Sequence, residues 1–438
     1  MNGMIHPVPD HTLPDNCERE PIRVPGSIQP HGALLAFDPM TGAVLHSSDN
    51  LGQFLSLGSL PVHDRFLADM MEPGAAQAVM DSVRQSTQGS TNTPLKLRVA
   101  SPLGGADGEL DAAVHVYRGV GFLEVEAALD DPVDWLPTFT ETMQSMRDCS
   151  SVEALMSHVA GRVKRLSGFD QVMVYRFDES WNGQVIAERC EADMEPFLGL
   201  HYPASDIPPQ ARDLYLTNLV RLIVDTQYVP VPVRPQVDVR TSQPLDMSHA
   251  QLRSVSPMHL QYLQNMGVRS TLVMSIVVEG RLWGLISCHH RKPRRVSMVL
   301  RNACKLLVLS LGYLLTAQLQ IQTQRHRQSL AEMQVQLLKA FNQPHVPLSD
   351  IVESVATELL QLGSAAAGLL WHGHEVHAFG PGVGGEQGRQ LVEAIQQALQ
   401  LRPGDPLFLT RPTPELEGMM SGLGFCGLGA LALGPFAD

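Results

Sequence analysis

Along residues 171–177 the side chains of Val172, Val174 and Arg176 face one way and those of Met173, Tyr175 and Phe177 the other, the period-two signature of a strand. Residues 183–189 return as its partner. Similar runs predict strands at 33–37, 43–47, 95–100, 110–118 and 121–129, with a hairpin turn at Asp38-Pro39-Met40-Thr41-Gly42. Helical spacing marks 51–55, 75–85 and a long stretch over 135–166 interrupted near 148–151. A further helix is predicted at 258–266, ended by Gly267, and two strands follow at 271–278 and 282–290. Residues 296–343 contain no proline and one glycine, Gly312, so a single very long helix is expected, apolar in its first half and polar from 318 onward. Beyond it the pattern predicts a helix at 348–362, strands at 366–371 and 375–379, a helix at 388–400 and a strand at 426–433. The fold class is α+β, antiparallel sheets with flanking helices.

The two strands after residue 270 also predict a pocket. Leu272, Met274, Ile276, Ile286, Cys288 and His290 lie on one face, and Thr271, Val273, Ser275, Leu285, Ser287 and His289 on the other. An apolar face suits the core; a face with hydroxyls and an imidazole suits a ligand with greasy and polar parts. Neighbouring strand residues point oppositely, so Cys288-His289-His290 cannot share one metal ion. Pro203, Pro208 and Pro209 fix the backbone around Ala204-Ser205-Asp206-Ile207 and predict a turn feeding a helix from 209. Asp206 or Ser205 is then either that helix's N-cap or a polar site on a rigid loop, and nothing local decides. Residues 221–233 read as Pro-rich and irregular and 236–249 as aperiodic, a long loop of the kind that is more often functional than idle.

At 438 residues the chain is expected to hold two or three domains, with a boundary at Asp130-Asp131-Pro132. A net charge of −13 without a dense basic stripe argues against nucleic acid as a partner. Six scattered cysteines without C-x-x-C pairs suggest reduced thiols rather than a disulfide framework or zinc site. The amino terminus lacks an apolar signal core and the run 306–315 is too short to span a bilayer, so a soluble cytoplasmic protein without a membrane anchor is expected.

Several motifs together carry a resemblance: Cys17-Glu18-Arg19-Glu20-Pro21, Pro25-Gly26-Ser27-Ile28-Gln29-Pro30-His31-Gly32, the turn from Pro203 to Pro208, Ser256-Pro257-Met258-His259, Tyr262, and the stretch 283–290. The chain resembles a bacteriophytochrome, the biliverdin-binding red/far-red photoreceptor family, closely over 12–325 and more loosely beyond. The resemblance implies an arm (1–16), a PAS domain (17–130), a GAF domain (138–320), a connecting helix (296–343) and a partial, GAF-like PHY domain (326–438). In the family the arm threads a GAF loop as a figure-of-eight knot; the irregular segment 221–249 is the candidate lasso.

The same resemblance implies roles. Cys17 matches the cysteine that holds biliverdin as a thioether. Asp206 matches the aspartate whose backbone carbonyl accepts from pyrrole N–H groups, His259 the histidine capping the pyrrole nitrogens through a water, and His289 the one bonding the outer ring's carbonyl. Arg221 and Arg253 match the propionate-binding arginines, with Thr271 and Ser275 as hydroxyl donors; Val273 stands where the family often has serine. Tyr175, Tyr202 and Tyr262 match the aromatic wall, and Ile207, Pro208, Tyr215, Ser256 and Met258 belong to the same pocket. A histidine near its ordinary pKa could share proton equilibria with the pigment. No Pro-Arg-x-Ser-Phe tongue segment occurs before Asp438, so Asp206 is expected to lack its arginine partner.

These expectations describe a light sensor without catalysis of its own, acting as a parallel homodimer on an output module or response regulator. A colourless PAS/GAF metabolite sensor and an enzyme using Cys17 or His259 are the rivals.

Overall fold

The computed structural model describes residues 20–55, 65–85, 93–98, 108–129, 135–343, 345–362, 365–372, 375–380 and 389–390. The chain divides into two compact units, residues 1–319 and 320–438.

The first unit opens with β1 (Ser27–Ile28), β2 (Gly32–Phe37), β3 (Val44–Ser48), α1 (Leu51–Phe54), α2 (Pro73–Gln85), β4 (Thr93–Arg98), β5 (Glu109–Tyr117) and β6 (Val120–Ala127). Leu35, Leu110, Val114, Leu123 and Val125 pack on one face of this sheet with Leu51 and Val79 of the helices. Leu34, Ala36 and Phe122 fill the other face with Val233, Leu245, Met247 and Leu252 from far along the chain. Burial on both faces explains why β2, β5 and β6 are buried almost continuously instead of alternating.

Next come α3 (Trp135–Ser145), a 3-10 turn at Met146–Asp148, and α4 (Val152–Ser167). Ser151 caps α4 by accepting from Ala154 N at 3.1 Å, and Gly168 ends it in the left-handed conformation. The chain continues through β7 (Gln171–Phe177), β8 (Gly183–Cys190), β9 (His201–Tyr202), α5 (Pro209–Thr217), β10 (Val220–Ile223), β11 (Val231–Arg234), α6 (Pro257–Asn265), β12 (Ser270–Val278), β13 (Arg281–His290) and α7 (Met298–Phe341). Six of these strands form a sheet in the order β10-β12-β13-β7-β8-β9. On one face α4 and the first half of α7 cover Val172, Val174, Leu272, Met274, Ile276, Ile286 and Cys288. A Cβ on Gly312 would lie 2.4 Å from the Val277 carbonyl oxygen, so the one glycine of the long helix lets it approach the sheet closely there. By length and hydropathy α7 could cross a membrane, but Leu307, Val308, Leu311 and Leu315 of its apolar half are buried in this core.

The segment 221–233, expected to be irregular, contains two strands. β10 forms the edge of the central sheet against β12, and β11 leaves it to join the first sheet, whose order is β1-β11-β3-β2-β6-β5-β4. The signal was hidden because β11 reads Val-Pro-Val-Arg and its partners lie about two hundred residues earlier. Residues 20–29 are held by the stretch 247–254 that follows β11: Met247 N donates to Arg23 O at 2.8 Å, Ser254 N to Ser27 O at 3.0 Å, and Gln29 N to Leu252 O at 2.8 Å.

In the second unit the helix expected at 348–362 is two, α8 (Leu348–Ser354) and α9 (Ala356–Leu362), followed by the hairpin β14 (Gly368–His372) and β15 (Glu375–Phe379). Leu337, Ala340, Ile351, Val355 and Leu359 form its described core. Of the expected helix at 388–400 only 389–390 are described, and the strand expected at 426–433 lies outside the described residues.

Candidate functional site

The face of the central sheet opposite α7 carries the side chains that the alternation singled out. In the register, Thr271 pairs with His289, Val273 with Ser287 and Ser275 with Leu285. Phe177, Val273, Leu282 and Leu285 form an apolar floor, with Tyr175, Trp181, Ile207 and Tyr215 against it.

Asp206 ends a 3-10 turn, Ala204–Asp206, in which no side chain caps a helix; the N-cap of α5 is Pro208, also without a side-chain bond. The N-cap reading of Asp206 and Ser205 therefore fails, because a proline already sets the entry to α5. Arg212, which the sequence did not single out, holds the turn instead: its Nη1 donates to Ile207 O at 2.8 Å, and its guanidinium lies 4.6 Å from the Trp181 ring centre. Asn182 adds a bond from Ala204 N at 3.2 Å. No cation pairs with Asp206 among the described residues. Burial raises its carboxyl above the usual range. Tyr175, Tyr202 and Tyr262 are all pushed up by burial first and by the Asp206 charge second, which sets the three phenols around this carboxylate. The Tyr175 and Tyr202 rings stand 6.0 Å apart, and Tyr262 lies nearly parallel to His259 at 6.4 Å. Tyr262 is 42% exposed and forms a rim rather than a buried wall. Gly183 makes room for Tyr175, since a Cβ there would fall 1.6 Å from the ring's Cζ.

Arg221 on β10 and Arg253 are both buried, and neither has a carboxylate ion-pair partner among the described residues. Arg221 donates to Gln251 O at 2.7 Å and to Arg253 O. Burial, and then the neighbouring Arg221, lower Arg253 to about 9. The Arg253 Nε, the Thr271 hydroxyl and the His289 Nδ1 are buried with no hydrogen-bond partner among the described residues. Each such group costs about 1–3 kcal/mol when left unmet, and together they fit a ligand that brings carboxylates and a carbonyl. Ser275, expected beside Thr271 as a donor, instead donates to Tyr215 O at 2.7 Å and braces α5 against the sheet.

Burial pushes the His259 and His289 imidazoles down to about 4. Both are neutral at pH 7, each with one donor and one acceptor nitrogen, so the expectation of a histidine near its ordinary pKa does not hold. Ser287 Oγ lies 3.1 Å from His289 Nε2, while His290, on the opposite face, meets Asp170 at 2.9 Å.

Met258 sits in the first turn of α6, and Ser256 just before it, its hydroxyl donating to Glu20 Oε2 at 2.5 Å. Cys17 lies outside the described residues. Gln29, within a quoted motif but given no role, is buried and ties the arm to the central sheet through Leu222 O at 2.9 Å and Val224 N at 3.3 Å.

A PAS-fold family model matches residues 17–128 and a GAF-domain model residues 151–319. A bacteriophytochrome of Xanthomonas campestris pv. campestris is 37% identical over 372 residues, covering 84% of this chain and 57% of that protein. One of Pseudomonas aeruginosa is 40% identical over 293 residues, 65% of this chain and 38% of that one. The chain thus spans little more than half of the first relative and less of the second. The crystal structure of the chromophore-binding domain of an unusual bacteriophytochrome from R. palustris superposes with a TM-score of 0.64 at 32% identity, over 70% of this chain and 99% of that one. Two sensory domains in this order, and a solved domain matched along nearly its whole length, make this chain a member of the bacteriophytochrome family.

Proposed function

We propose that the chain is a cytoplasmic red/far-red light sensor that holds biliverdin as a thioether to Cys17 in the pocket on the GAF sheet. The observation that carries this reading is the set of buried polar atoms on this side of the sheet that no described residue meets, Arg253 Nε, Thr271 Oγ1 and His289 Nδ1, in a family of bilin photoreceptors. When bound, the pigment supplies a double bond that isomerises on absorbing light. Arg221 and Arg253, with Thr271, would hold its propionates; His259 and the Asp206 backbone carbonyl its pyrrole nitrogens; His289 its outer carbonyl. Tyr175, Tyr202 and Tyr262 would border the ring that turns. Ile207, Pro208, Tyr215 and Met258 complete the enclosure. The free thiols Cys149, Cys190, Cys288 and Cys304 suit a reducing compartment.

The reading extends to output. Changes at the Asp206 turn and His289 would pass along α7, in a parallel homodimer, to a downstream module or response regulator. The test is an absorption spectrum of the chain with biliverdin before and after red light, followed by denaturation and zinc-fluorescence detection. Colour that reverses with light and remains on the denatured chain, but not on Cys17→Ala, is expected. Folded protein that acquires no covalent colour would sink the proposal and leave a colourless GAF ligand sensor.

A further inference from the structure

Two glutamates of β6, Glu124 and Glu126, lie on one face of the strand and are almost wholly buried. Glu124 accepts two successive backbone N–H groups of the GAF loop, Gln251 N at 3.0 Å and Leu252 N at 2.6 Å. The carbonyls of the same stretch receive Arg221: Gln251 O at 2.7 Å, Ala250 O at 3.4 Å, and Arg253 O. Peptide units 250–253 are thus clamped between an acid of the PAS sheet and a guanidinium of the GAF sheet. The Gln251 side chain is itself fixed, accepting from Arg301 Nη1 at 3.1 Å, while Arg301 Nη2 is paired with Glu126 at 2.6 Å.

We infer that Glu124 is a positioning residue for anion recognition in the pocket: by holding the Gln251 and Leu252 N–H groups it fixes the carbonyls that orient Arg221 and the backbone that carries Arg253. The inference rests on the bilin reading above and concerns only the two propionate anchors.

Charge alone is a poor account of the same contacts. The groups around Glu124 are Glu126 on its own strand, Arg301 on α7, His115 on β5 with Nδ1 at 3.9 Å, and Arg221 and Arg253 across the loop. Burial, only partly offset by the two N–H bonds, pushes the Glu124 carboxyl up to about 7. The group is therefore partly protonated at neutral pH, and what it supplies in either state is acceptor oxygen at a fixed place. Arg221, with its nitrogens on three carbonyls, is as well placed as those carbonyls are.

Glu124→Gln keeps the length of the side chain but removes its charge and replaces one of its two acceptor oxygens with an amide donor, whereas Glu124→Asp keeps the charge and both oxygens and withdraws them by one methylene. Both are made in the Cys17→Ala chain, where binding stays reversible, and titrated with biliverdin and with its dimethyl ester, which lacks the two carboxylates. Positioning predicts that Glu124→Asp, which withdraws both acceptors, loses about tenfold in affinity for biliverdin and that Glu124→Gln, which keeps one of the two, loses about threefold. The ester should bind all three alike. Amide exchange in the pigment-free protein should quicken at both Gln251 and Leu252 in Glu124→Asp and at only one of the two in Glu124→Gln. Equal losses for both pigments, an unaffected Glu124→Asp, or a Glu124→Gln that falls as far as Glu124→Asp each overturns the inference while leaving the photoreceptor reading intact. A parent that takes up neither pigment removes that reading, and this inference with it.

Discussion

Ser256 donates its hydroxyl hydrogen to a carboxylate oxygen of Glu20 at 2.5 Å, joining the arm to the residue that opens α6. That helix carries His259 and Tyr262, so one bond sets both the arm's end and the pocket's edge. Hydrogen bonds to a charged group are worth about 1.5–3 kcal/mol, and losing this one leaves the arm near Cys17 less confined. Ser256→Ala is therefore expected to slow thioether formation about fivefold to tenfold while reversible pigment affinity in the Cys17→Ala background changes little. A time course of zinc-fluorescent protein measures the first and a titration the second. Attachment at the parent rate would detach the Glu20 contact from the chemistry of Cys17.

Gly183 and Tyr175 make the second pair. A Cβ on Gly183 would fall 1.6 Å from Cζ and 1.9 Å from the hydroxyl of Tyr175, so Gly183→Ala must displace the ring. Overpacking of this kind costs about 1–3 kcal/mol. The cost should vanish in a Tyr175→Val background, where nothing is left to clash, and urea unfolding of the four variants reads that coupling. Additive effects in the two backgrounds would mean that the Tyr175 ring leaves its place freely.

The pocket face was legible because a half-buried strand must alternate: the sorting of Thr271, Val273 and Ser275 from Leu272, Met274 and Ile276 needs no tertiary information. The proline turn and the single glycine of α7 were legible for the same reason, being local backbone constraints. β11 was not, since its pairing with β1 and β3 joins segments remote in sequence. Nor were Glu124, Glu126 and Arg301, because a charged residue in one strand or helix reads as a solvated face until another element covers it. Ser275 shows the same limit at smaller scale: facing the pocket did not reveal that its proton was already committed to Tyr215.

The Glu126–Arg301 pair, 2.6 Å apart and buried on both sides, fixes the first turn of α7 to the PAS sheet. Arg301→Met leaves Glu126 without its ion-pair partner, with His31 at 3.9 Å and the more distant Arg295 as the remaining basic groups, and an uncompensated buried charge costs about 3–5 kcal/mol. Adding Glu126→Leu should restore most of that loss. Denaturant unfolding of the single and double variants decides it, and a double variant as weak as Arg301→Met alone would contradict the pairing argument.

Acid should destabilise the pigment-free protein. Burial holds His115 at about 3 and His289 at about 4, below the 6.5 of the unfolded chain. Between pH 6.5 and those values the unfolded state binds the extra protons, so the stability present above pH 6.5 is lost as pH falls, by about 3 kcal/mol or more per group once fully expressed. Glu124 works the other way: with its folded pKa raised to about 7 from 4.5, the folded state binds the extra proton in that window, and its contribution declines as pH rises. His31 and His259 are also held down, at about 4, so the histidines outweigh Glu124 and Asp206, the two carboxyls that burial raises. The urea midpoint should be lower at pH 5 than at pH 7.5. Neither ring nitrogen of His115 has a hydrogen-bond partner and the ring stacks on Phe122 at 4.6 Å, so His115→Phe should keep the packing and flatten the acid limb. An unchanged limb would remove His115 from the account.

On α7 the residues Leu307, Leu311 and Leu315 face the GAF core, while Leu306 (54% exposed), Leu309 (40%) and Tyr313 (79%) line the opposite side. Their spacing of three and four residues places them on one stripe, which suits the self-complementary contact of a two-fold dimer. A charge at the centre of such a stripe would be desolvated against its own copy. Leu309→Glu with Tyr313→Glu is therefore expected to weaken self-association by about a hundredfold or more, without lowering the urea midpoint of the monomer, because neither side chain contributes to the core. Sedimentation across a range of concentrations measures this. A parent that sediments as a monomer throughout, or a variant that dimerises as the parent does, would show that the stripe is not the homodimer surface.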